Sequence, residues 1–356
     1  MDPFQSRLQQ RAMRNPYKPH NDHTPFRAKM VLGLMVFVGL VMYLNGSSST
    51  RSSQPKLRKD MGSPVALVTK TPTPMSVMTF NLRFAGANDG WNGWDYRKDH
   101  LIELINRYKP TVMGTQEGLK DQLAEIHSKL LGNYERFGVE REPNGEFEQI
   151  FYDADKVTKL DGGNYWLSDN PEVPNQKAWD APCVRMVTWC RFQIKATKQE
   201  FVFINTQFDH MSERSRIKSS ELIWKRIQEE WSLDMPIFLV GDFNTYRYTS
   251  VYKYLTTEEG PNLAEAWKTA DKTIGDVSYT YHGWAGVDND GEKAPNVVRA
   301  ANHIDWILYR PRNMKVLSTE VITESRGGRY PSDHYPIHAE LLFPTTDVIP
   351  ASSSSF

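Results

Sequence analysis

Cysteine is scarce in this chain, and this scarcity limits the kinds of fold the chain can adopt. Two cysteines, Cys183 and Cys190, occur in 356 residues, too few for a disulfide framework. Residues 187–194 read as a strand, and an extended strand would hold the two thiols roughly 20 Å apart at about 3.3 Å per residue. A bond would require a sharp turn between them, so we predict two free thiols.

Most of the chain has no excess of positive charge. The whole sequence has 43 Lys/Arg and 43 Asp/Glu, but residues 1–74 hold 11 of the basic residues and 3 of the acidic ones. The remainder therefore has 32 basic and 40 acidic residues, a net charge of −8. Such a domain is poorly suited to non-specific binding of nucleic-acid backbones, which depends on Lys and Arg. A local basic groove is still compatible with this balance.

One long apolar run stands apart near the N-terminus. Residues 30–44 read MVLGLMVFVGLVMYL and follow a basic segment. As a helix this run spans about 22 Å, short of the roughly 30 Å hydrocarbon core, so it suits a thin membrane or ends extended by snorkelling. We predict a basic cytosolic tail over 1–29, a transmembrane signal anchor over 30–44, and a flexible stem over 45–74 that is rich in Ser, Thr, Pro and Lys.

This order predicts a single-pass type II membrane protein whose large domain, residues 75–344, is lumenal or extracellular. The alternative is a cleaved signal peptide, whose apolar region has this length, and a secreted form. Residues 345–356 end in Ser-Ser-Ser-Ser-Phe and are expected to be a disordered tail. We expect a monomer without a protein partner.

The pattern of apolar residues predicts many strands and few helices in the large domain. Apolar residues recur at helical spacing in 101–108, 119–130 and 217–231. Strands are predicted at 77–80, 111–115, 150–152, 187–194, 201–205, 236–240, 304–309 and 338–342. This content predicts an α/β fold of two stacked sheets with helices outside. Polar clusters at the strand ends would then meet at one rim.

Four of these clusters contain residue types that suit metal-assisted phosphoester hydrolysis. Glu117 follows a strand and can bind a hard cation, or it can serve as an ordinary helix N-terminal carboxylate. Asp242 and Asn244 follow the strand at 236–240, where they can orient water and a phosphate oxygen or form a simple Asx-turn. Asp305 begins a strongly apolar strand, and Asp333-His334 follow Pro331-Ser332; each is explicable alone as a cap or turn. The occurrence of all four clusters in this order favours a catalytic role over a set of unrelated caps and turns.

The ordered set resembles the endonuclease/exonuclease/phosphatase superfamily, in the compact branch near the nocturnin-like deadenylases. The resemblance spans roughly residues 75–344 and is carried by Thr79-Phe80-Asn81-Leu82-Arg83, Gly114-Thr115-Gln116-Glu117, Trp166-Leu167-Ser168, Arg185, Thr188-Trp189, Asn205-Thr206, Asp209-His210, Gly241-Asp242-Phe243-Asn244, Tyr281-His282-Gly283, Ile304-Asp305-Trp306 and Ser332-Asp333-His334. It implies a four-layer α/β/β/α sandwich of two mixed sheets.

The resemblance also implies roles for individual residues. Glu117, Asn81 and Asp333 would bind Mg²⁺ or Mn²⁺, while Asp242 would activate the attacking water and Asn244 would hold the scissile phosphate. His334 would contact the phosphate and be oriented by Asp305. The further substrate-binding candidates are Arg185, which is otherwise a surface ion pair, together with Gln207, His210 and His282. Either Glu146 or Glu148 would orient a residue at the rim.

Gln207 departs from the pattern of this branch. It stands in Asn205-Thr206-Gln207-Phe208-Asp209-His210, where the branch usually has a histidine that touches the phosphate. An amide donates a hydrogen bond but does not transfer a proton at neutral pH. We therefore expect slowed hydrolysis, with His210 as a compensating group or with a leaving group that needs little acid assistance.

A glycine-rich loop, Asp89-Gly90-Trp91-Asn92-Gly93-Trp94, follows the first strand. Its tryptophans are expected either to stack on a base, sugar or lipid, or to pack inside the loop.

The sequence thus predicts a membrane-anchored, metal-dependent phosphoesterase acting on a phosphodiester or phosphomonoester. The substrate could be a small diester, a lipid headgroup or a nucleic acid. Two alternatives stay open: a 3′–5′ exonuclease on RNA or DNA, and a catalytically impaired binding protein on the same fold.

Overall fold

A computed structural model describes residues 72–275, 277–286, 302–311 and 314–343. The predicted cytosolic tail, membrane anchor and C-terminal tail lie outside these ranges, as does the stem up to residue 71. The described residues all belong to one compact unit. Within the described residues, no helix has both the length and the apolar character needed to span a membrane.

Seven strands form the first sheet, in the order β10-β12-β13-β1-β2-β4-β3. The pairs β1/β2 and β10/β12 are parallel and the others antiparallel, so the sheet is mixed. The bounds are β1 Thr73–Asn81, β2 Val112–Gly118, β3 Tyr134–Phe137, β4 Phe147–Asp153, β10 Lys272–Ile274, β12 Lys315–Val321 and β13 Ile337–Phe343.

Six strands form the second sheet, in the order β5-β6-β7-β8-β11-β9. Only β7/β8 is parallel among its pairs in the described residues, and this sheet is also mixed. The bounds are β5 Val157–Trp166, β6 Met186–Ile194, β7 Glu200–Gln207, β8 Ile237–Asp242, β9 Ala264–Glu265 and β11 Asp305–Arg310.

The two sheets pack face to face through an apolar core. Val77, Val112 and Ile150 of the first sheet share this core with Phe203 and Phe238 of the second. Side chains alternate between the two faces of a strand, so neighbouring residues point to the outer faces. The fold is therefore α/β with two stacked mixed sheets, as the sequence predicted.

Helices cover the outer faces of both sheets. Leu101, Ile105 and Ile126 pack on Met78 and Phe80 of the first sheet. Ile223, Ile227 and Val251 pack with Ile204, Leu239 and Trp306 of the second sheet. The helices are α1 Trp94–Tyr108, α2 Lys120–Lys129, α3 Glu213–Glu230, α4 Ser250–Thr256 and α5 Ala266–Thr269. Their apolar faces follow the helical spacing seen in the sequence.

Some elements differ from the sequence expectation. β1 begins at Thr73, inside the segment predicted as stem. β5 was not predicted, because its residues VTKLDGGNYW include two glycines and several polar residues that disfavour strands. Gly163 leaves no room for a side chain, because a Cβ there would lie 2.9 Å from Nε1 of Trp189. Strand β12, the short strands β3, β9 and β10, and the short helices α4 and α5 were likewise not predicted from the sequence.

Both cysteines are free thiols, as predicted, and Cys190 is buried.

Candidate active site

The candidate site forms where strands from both sheets end. Asn81 is the last residue of β1, and Glu117 lies near the end of the adjacent strand β2. In the other sheet, Gln207 and Asp242 end the parallel strands β7 and β8 and are paired in register. Asp305 begins the antiparallel strand β11 directly beside Asp242. Parallel neighbours end at the same sheet edge, which explains how residues distant in sequence meet here.

Gly241 shapes the turn that presents Asp242. Its φ is +150°, and a Cβ at this position would overlap the carbonyl oxygen of Thr206. Any side chain would therefore push β7 and β8 apart, so glycine is required at this position.

Asp242 and Asn244 are held together by the turn after β8. The backbone N–H of Asn244 donates to Asp242 Oδ1 at 3.0 Å, which is the Asx-turn geometry. Asn244 Nδ2 also donates to Asp242 Oδ2 at 3.2 Å and to the carbonyl of Phe208 at 3.0 Å. Asn244 adopts a left-handed backbone with φ of 49°. The Asx-turn is therefore compatible with a functional role for both residues, because it aims the Asn244 amide at the Asp242 carboxylate.

His334 is paired with Asp305. Its Nδ1 lies 3.0 Å from Asp305 Oδ2, and its Nε2 lies 4.0 Å from Asp242 Oδ2. Burial alone would lower the pKa of His334, but the Asp305 and Asp242 carboxylates outweigh it and raise this pKa to about 10. The imidazole is therefore a buried cation at neutral pH and a donor to an anionic substrate.

Two amides converge on the carboxylate of Glu117. Asn81 Nδ2 and Gln207 Nε2 each donate to Glu117 Oε1 at 3.0 Å. Burial opposes ionisation of this group, but Arg83, His334 and the two amides lower the pKa of Glu117 to about 2. Glu117 has a φ of 63°, and such backbone strain at a non-glycine residue is typical of functional sites.

The same two amides also donate to Asp242. Asn81 Nδ2 lies 3.0 Å and Gln207 Nε2 lies 3.2 Å from Asp242 Oδ2. Burial and the nearby Asp305 carboxylate raise the pKa of Asp242 to about 6. A carboxylate with this pKa is ionised at neutral pH and is a better proton acceptor than an ordinary aspartate.

Asp333, the residue before His334, lies close to Arg83. Arg83 Nε is 3.8 Å from Asp333 Oδ2, and the same guanidinium forms two bonds to Asp89, at 2.8 and 2.9 Å. Ser332 Oγ donates to the Asn81 carbonyl at 2.7 Å and so ties this segment to the end of β1. The structure therefore brings Asn81, Glu117 and the Asp333 segment to the same side of the cleft.

Gln207 connects the carboxylates to two buried arginines. While its Nε2 faces Glu117 and Asp242, its Oε1 accepts hydrogen bonds from Arg141 Nη1 at 3.3 Å and from Arg185 Nη1. A neutral imidazole has one acceptor nitrogen and could satisfy only one of these guanidinium groups. The amide at position 207 is thus built into this network.

Arg185 is buried, and each of its guanidinium nitrogens has a contact at the site. Its Nε lies 3.5 Å from Asp209 Oδ2, and its Nη2 lies 3.0 Å from Nδ1 of His210. It is therefore not the surface ion pair considered as an alternative. Burial and the Arg185 charge lower the pKa of His210 to about 4, so this ring is neutral at neutral pH.

His282 lies on the opposite flank, behind Asp333. Its ring stacks on Tyr335 with 4.1 Å between centroids, and its backbone N–H donates to the Asp333 carbonyl at 2.9 Å. Burial and the His334 charge lower its pKa to about 3. Contact of His282 with a substrate stays a prediction.

Glu146 and Glu148 have different surroundings. Glu146 forms an ion pair with Arg141, with Oε2 2.9 Å from Nη2, and burial raises its pKa. Glu148 is fully buried, and burial raises its pKa to about 8. Of the two, Glu146 contacts a guanidinium that reaches the site, and its orienting role stays a prediction.

The site suits a hard divalent cation. Asp242 is a buried carboxylate and Glu117 a half-buried one, and both accept from the same two amides. Asp333 follows Ser332, which is bonded to the end of β1 at Asn81. Carboxylate and amide oxygens are the donors preferred by Mg²⁺ and Mn²⁺. Asp242, Asp305 and His334 also lie together closely enough to form a candidate metal group.

A model of the endonuclease/exonuclease/phosphatase family matches residues 78–334, which contain all of these groups. The chain belongs to this family. A family member of known structure from Bacteroides vulgatus is 33% identical, covers 76% of this chain and 99% of its own, and superposes with a TM-score of 0.68. These results confirm the resemblance drawn from the ordered motifs.

Two further structures widen the comparison. A mannosyl-6-phosphatase of Bacteroides thetaiotaomicron is 28% identical over 76% of this chain and all of its own, with a TM-score of 0.66. The human Nocturnin catalytic domain with bound sulfate is 20% identical over 76% of this chain and 94% of its own, with a TM-score of 0.56. At that identity the Nocturnin likeness shows the shared fold alone.

Sequence reasoning gave no role to three residues that contact the site. Arg141 reaches Gln207 from a loop, and nothing in its local sequence marks it. Arg83 was part of a quoted motif, but its contact with Asp333 depends on the fold. The ring of Tyr281 lies 4.9 Å from that of His334, a contact that its place beside His282 hinted at.

Proposed function

We propose that this protein is a divalent-metal-dependent phosphoesterase that hydrolyses its substrate by in-line attack of water. The observation that carries this proposal is the convergence of Asp242, a proton acceptor, with His334, a buried cation 4.0 Å away. One group can take a proton from water while the other stabilises the charge that develops on the phosphate.

The surrounding residues fit defined roles in that reaction. Asp242 orients the water and accepts its proton. Asn244, held against Asp242, donates its amide to a phosphate oxygen. His334 donates from Nε2 to the phosphate, and Asp305 fixes the orientation and charge of its ring through Nδ1. Pre-organised donors of this kind cost no reorganisation during reaction.

Glu117, Asn81 and Asp333 would hold the metal, for which we propose Mg²⁺ or Mn²⁺. Such an ion, when bound, polarises a phosphate oxygen and offsets negative charge. Gln207 and Asn81 keep the Glu117 carboxylate ionised and aimed into the cleft.

We further propose that the substrate is a phosphomonoester of a small molecule. Two buried guanidiniums, those of Arg141 and Arg185, lie beside Gln207 and suit the extra negative charge of a terminal phosphate. The similarity to a mannosyl-6-phosphatase, which extends over the whole length of that enzyme, also supports a phosphomonoester substrate. The net charge of −8 after residue 74 weighs against extended nucleic acid.

The two alternatives predict different behaviour. A 3′–5′ exonuclease would require a single strand to approach a domain whose net charge is −8. An impaired binding protein would explain Gln207 as decay, whereas the amide is bonded on both sides to intact catalytic groups. The network favours an active enzyme.

We also propose that residues 30–44 anchor the enzyme, with its domain lumenal or extracellular. The support is the apolar run and the basic residues that precede it. Protease treatment of sealed vesicles tests this topology: a protected domain is expected, and digestion without detergent would contradict it.

The activity itself is tested by a substrate panel with Mg²⁺ and with a chelator. The panel comprises sugar phosphates, inositol phosphates, sphingomyelin, bis-p-nitrophenyl phosphate, and single-stranded RNA and DNA. We expect Mg²⁺-dependent phosphate release from phosphomonoesters. Turnover confined to RNA or DNA would favour the exonuclease, and no turnover of any substrate would favour the binding protein.

A further inference from the structure

Trp91 differs from every other tryptophan of the chain in its exposure. The chain has ten tryptophans. Trp91, at 68% exposure, is the one whose side chain lies mostly in solvent, and the other nine are buried or partly buried. Trp94, three residues later in the same loop, is buried at the start of α1. The loop therefore contains one packing tryptophan and one that faces outward, beside Tyr96, which is 58% exposed.

The loop that presents Trp91 is fixed in place. Arg83 forms a two-bond pair with Asp89 just before it, and Arg97 Nε donates to the Asn92 carbonyl at 3.0 Å just after it. Trp91 itself lies in a 3₁₀ turn, Gly90–Asn92, closed by a hydrogen bond from the Gly93 N–H to the Gly90 carbonyl. A large apolar ring held out to solvent by a rigid loop is typical of a binding surface.

Trp91 forms one wall of a pocket, which we call the Trp91 pocket. Its volume is about 220 Å³, below the roughly 300–1,000 Å³ of pockets for drug-sized ligands, so it suits about one ring. Its lining combines aromatic rings with hydrogen-bonding groups, including Trp91, Asn92, Tyr96, Arg326, Arg329 and Tyr330. The guanidinium of Arg329 lies 5.5 Å from the centre of the Trp91 ring.

The Trp91 pocket is joined directly to the catalytic segment. Tyr330 lines the pocket and is followed at once by Pro331 and then Ser332-Asp333-His334. Arg97, also in the pocket wall, donates to the Pro331 carbonyl at 2.8 Å. On the other side, Arg83 contacts both Asp89 of the loop and Asp333 of the site. The Trp91 pocket and the segment that carries His334 are therefore tied together through Tyr330, Arg97 and Arg83.

The chemistry of the lining favours a sugar. An exposed tryptophan offers a flat apolar face to the C–H groups of a pyranose, and Asn92 and Arg329 beside it can bond to hydroxyl groups. An acyl chain would make no use of these two polar groups. The single-ring volume also matches one sugar unit better than a nucleic-acid strand.

We propose that Trp91, Tyr96 and Arg329 form a carbohydrate subsite that holds a sugar ring of the substrate while its phosphate lies at Asp242 and His334. This inference rests on the proposed phosphomonoesterase function, which it deepens by naming the class of substrate. The subsite supplies affinity for the sugar and takes no part in the bond cleavage.

Steady-state kinetics on the full-length protein test the subsite. With mannose 6-phosphate as substrate, Trp91→Ala is expected to raise KM about tenfold or more with little change in kcat, as loss of a stacking contact requires. With methyl phosphate, which has no ring to stack on Trp91, the variant should match the wild type. Trp91→Phe should retain most of the affinity. The control is Leu233→Ala, a change at another exposed apolar residue (76% exposed) that precedes β8. It should change KM and kcat for neither substrate.

Two results would overturn the subsite. One is an equal effect of Trp91→Ala on both substrates, or no effect on either. The other is a KM increase confined to a nucleoside monophosphate, which would assign the pocket to a base.

Direct binding separates this proposal from the proposed function. Methyl α-mannoside should bind the wild-type protein in saturation-transfer NMR, and binding should weaken in Trp91→Ala. If no phosphate ester is turned over but this binding is seen, the proposed function fails and the subsite stands. If phosphate esters are hydrolysed but no sugar binds, the subsite alone fails.

Discussion

Gln207 Nε2 lies 3.0 Å from Glu117 Oε1 and donates a hydrogen bond to it. The other end of the same amide accepts from two arginines, so one neutral side chain joins the carboxylate and cationic halves of the cleft. A replacement that looked like the first sign of decay is therefore the centre of an ordered network. This relationship gives the first prediction.

Gln207→His should restore a proton donor at the position where the related branch has one. A positioned acid contributes roughly 10²- to 10⁴-fold, most where the leaving group is basic. We expect the variant to hydrolyse an alkyl or sugar phosphate faster and p-nitrophenyl phosphate, whose leaving group needs little acid, at an unchanged rate. If turnover of each active substrate stayed the same, the idea that Gln207 slows catalysis would be wrong.

Arg185→Lys should reduce kcat/KM by at least about tenfold. A lysine supplies charge but not the planar fork that reaches Gln207, His210 and Asp209 together, and a bond from a charged donor contributes about 1.5–3 kcal/mol. Arg191→Lys is the control, because Arg191 is partly exposed and pairs with Glu200 away from the site. Equal losses in the two variants would mean that Arg185 acts through stability alone.

Glu117→Gln should weaken metal binding without disturbing the fold. The new side chain can still accept from Asn81 and Gln207 but brings no charge to the ion. The Mg²⁺ concentration for half-maximal activity should rise by at least about tenfold, and Mg²⁺ should no longer raise the thermal unfolding midpoint. Glu221→Gln, on the exposed face of α3, serves as control. An unchanged Mg²⁺ requirement would remove Glu117 from the metal site.

Acid should destabilise the domain through its buried histidines. Burial lowers the pKa of His338 to about 4 and that of His303 to about 3, against about 6.5 in an unfolded chain. The stability gained from neutral rings is therefore fully present above pH about 6.5 and is lost as the pH falls towards these values. Each histidine costs up to about 1.4 kcal/mol per pH unit in that window.

Thermal unfolding between about pH 7 and pH 4 measures this loss. His338→Phe, which keeps a ring beside Tyr108, should flatten the decline relative to the wild type. An identical decline in both proteins would show that His338 does not contribute.

The sequence predicted the parts of the site that follow strands. Asn81, Glu117 and Asp242 each end an apolar run, and the parallel pairs β1/β2 and β7/β8 bring such ends together. Contacts made across long separations could not be foreseen. Arg141 reaches Gln207 over 66 residues from a loop without a distinguishing pattern.

The exposure of the two loop tryptophans could not be predicted from the sequence either, although they are only three residues apart. Trp91 and Trp94 follow similar glycines, yet one is exposed and the other buried. The difference arises because Trp94 begins α1 and packs into the core beneath it, while Trp91 lies in the turn before the helix. The residue types alone do not encode this distinction. Packing inside the loop is confirmed for Trp94, and contact of Trp91 with a ligand stays a prediction.

The most direct test of the account is Mg²⁺-dependent phosphate release from a sugar phosphate by the wild-type protein and by Asp242→Asn. The variant keeps the size of the side chain but removes the carboxylate that would accept a proton from water. We predict that a chelator abolishes wild-type turnover, that Mg²⁺ restores it, and that Asp242→Asn lowers it by about 10²-fold or more at an unchanged unfolding midpoint. Equal turnover by the two proteins, or turnover that persists in the chelator, would contradict the proposed mechanism.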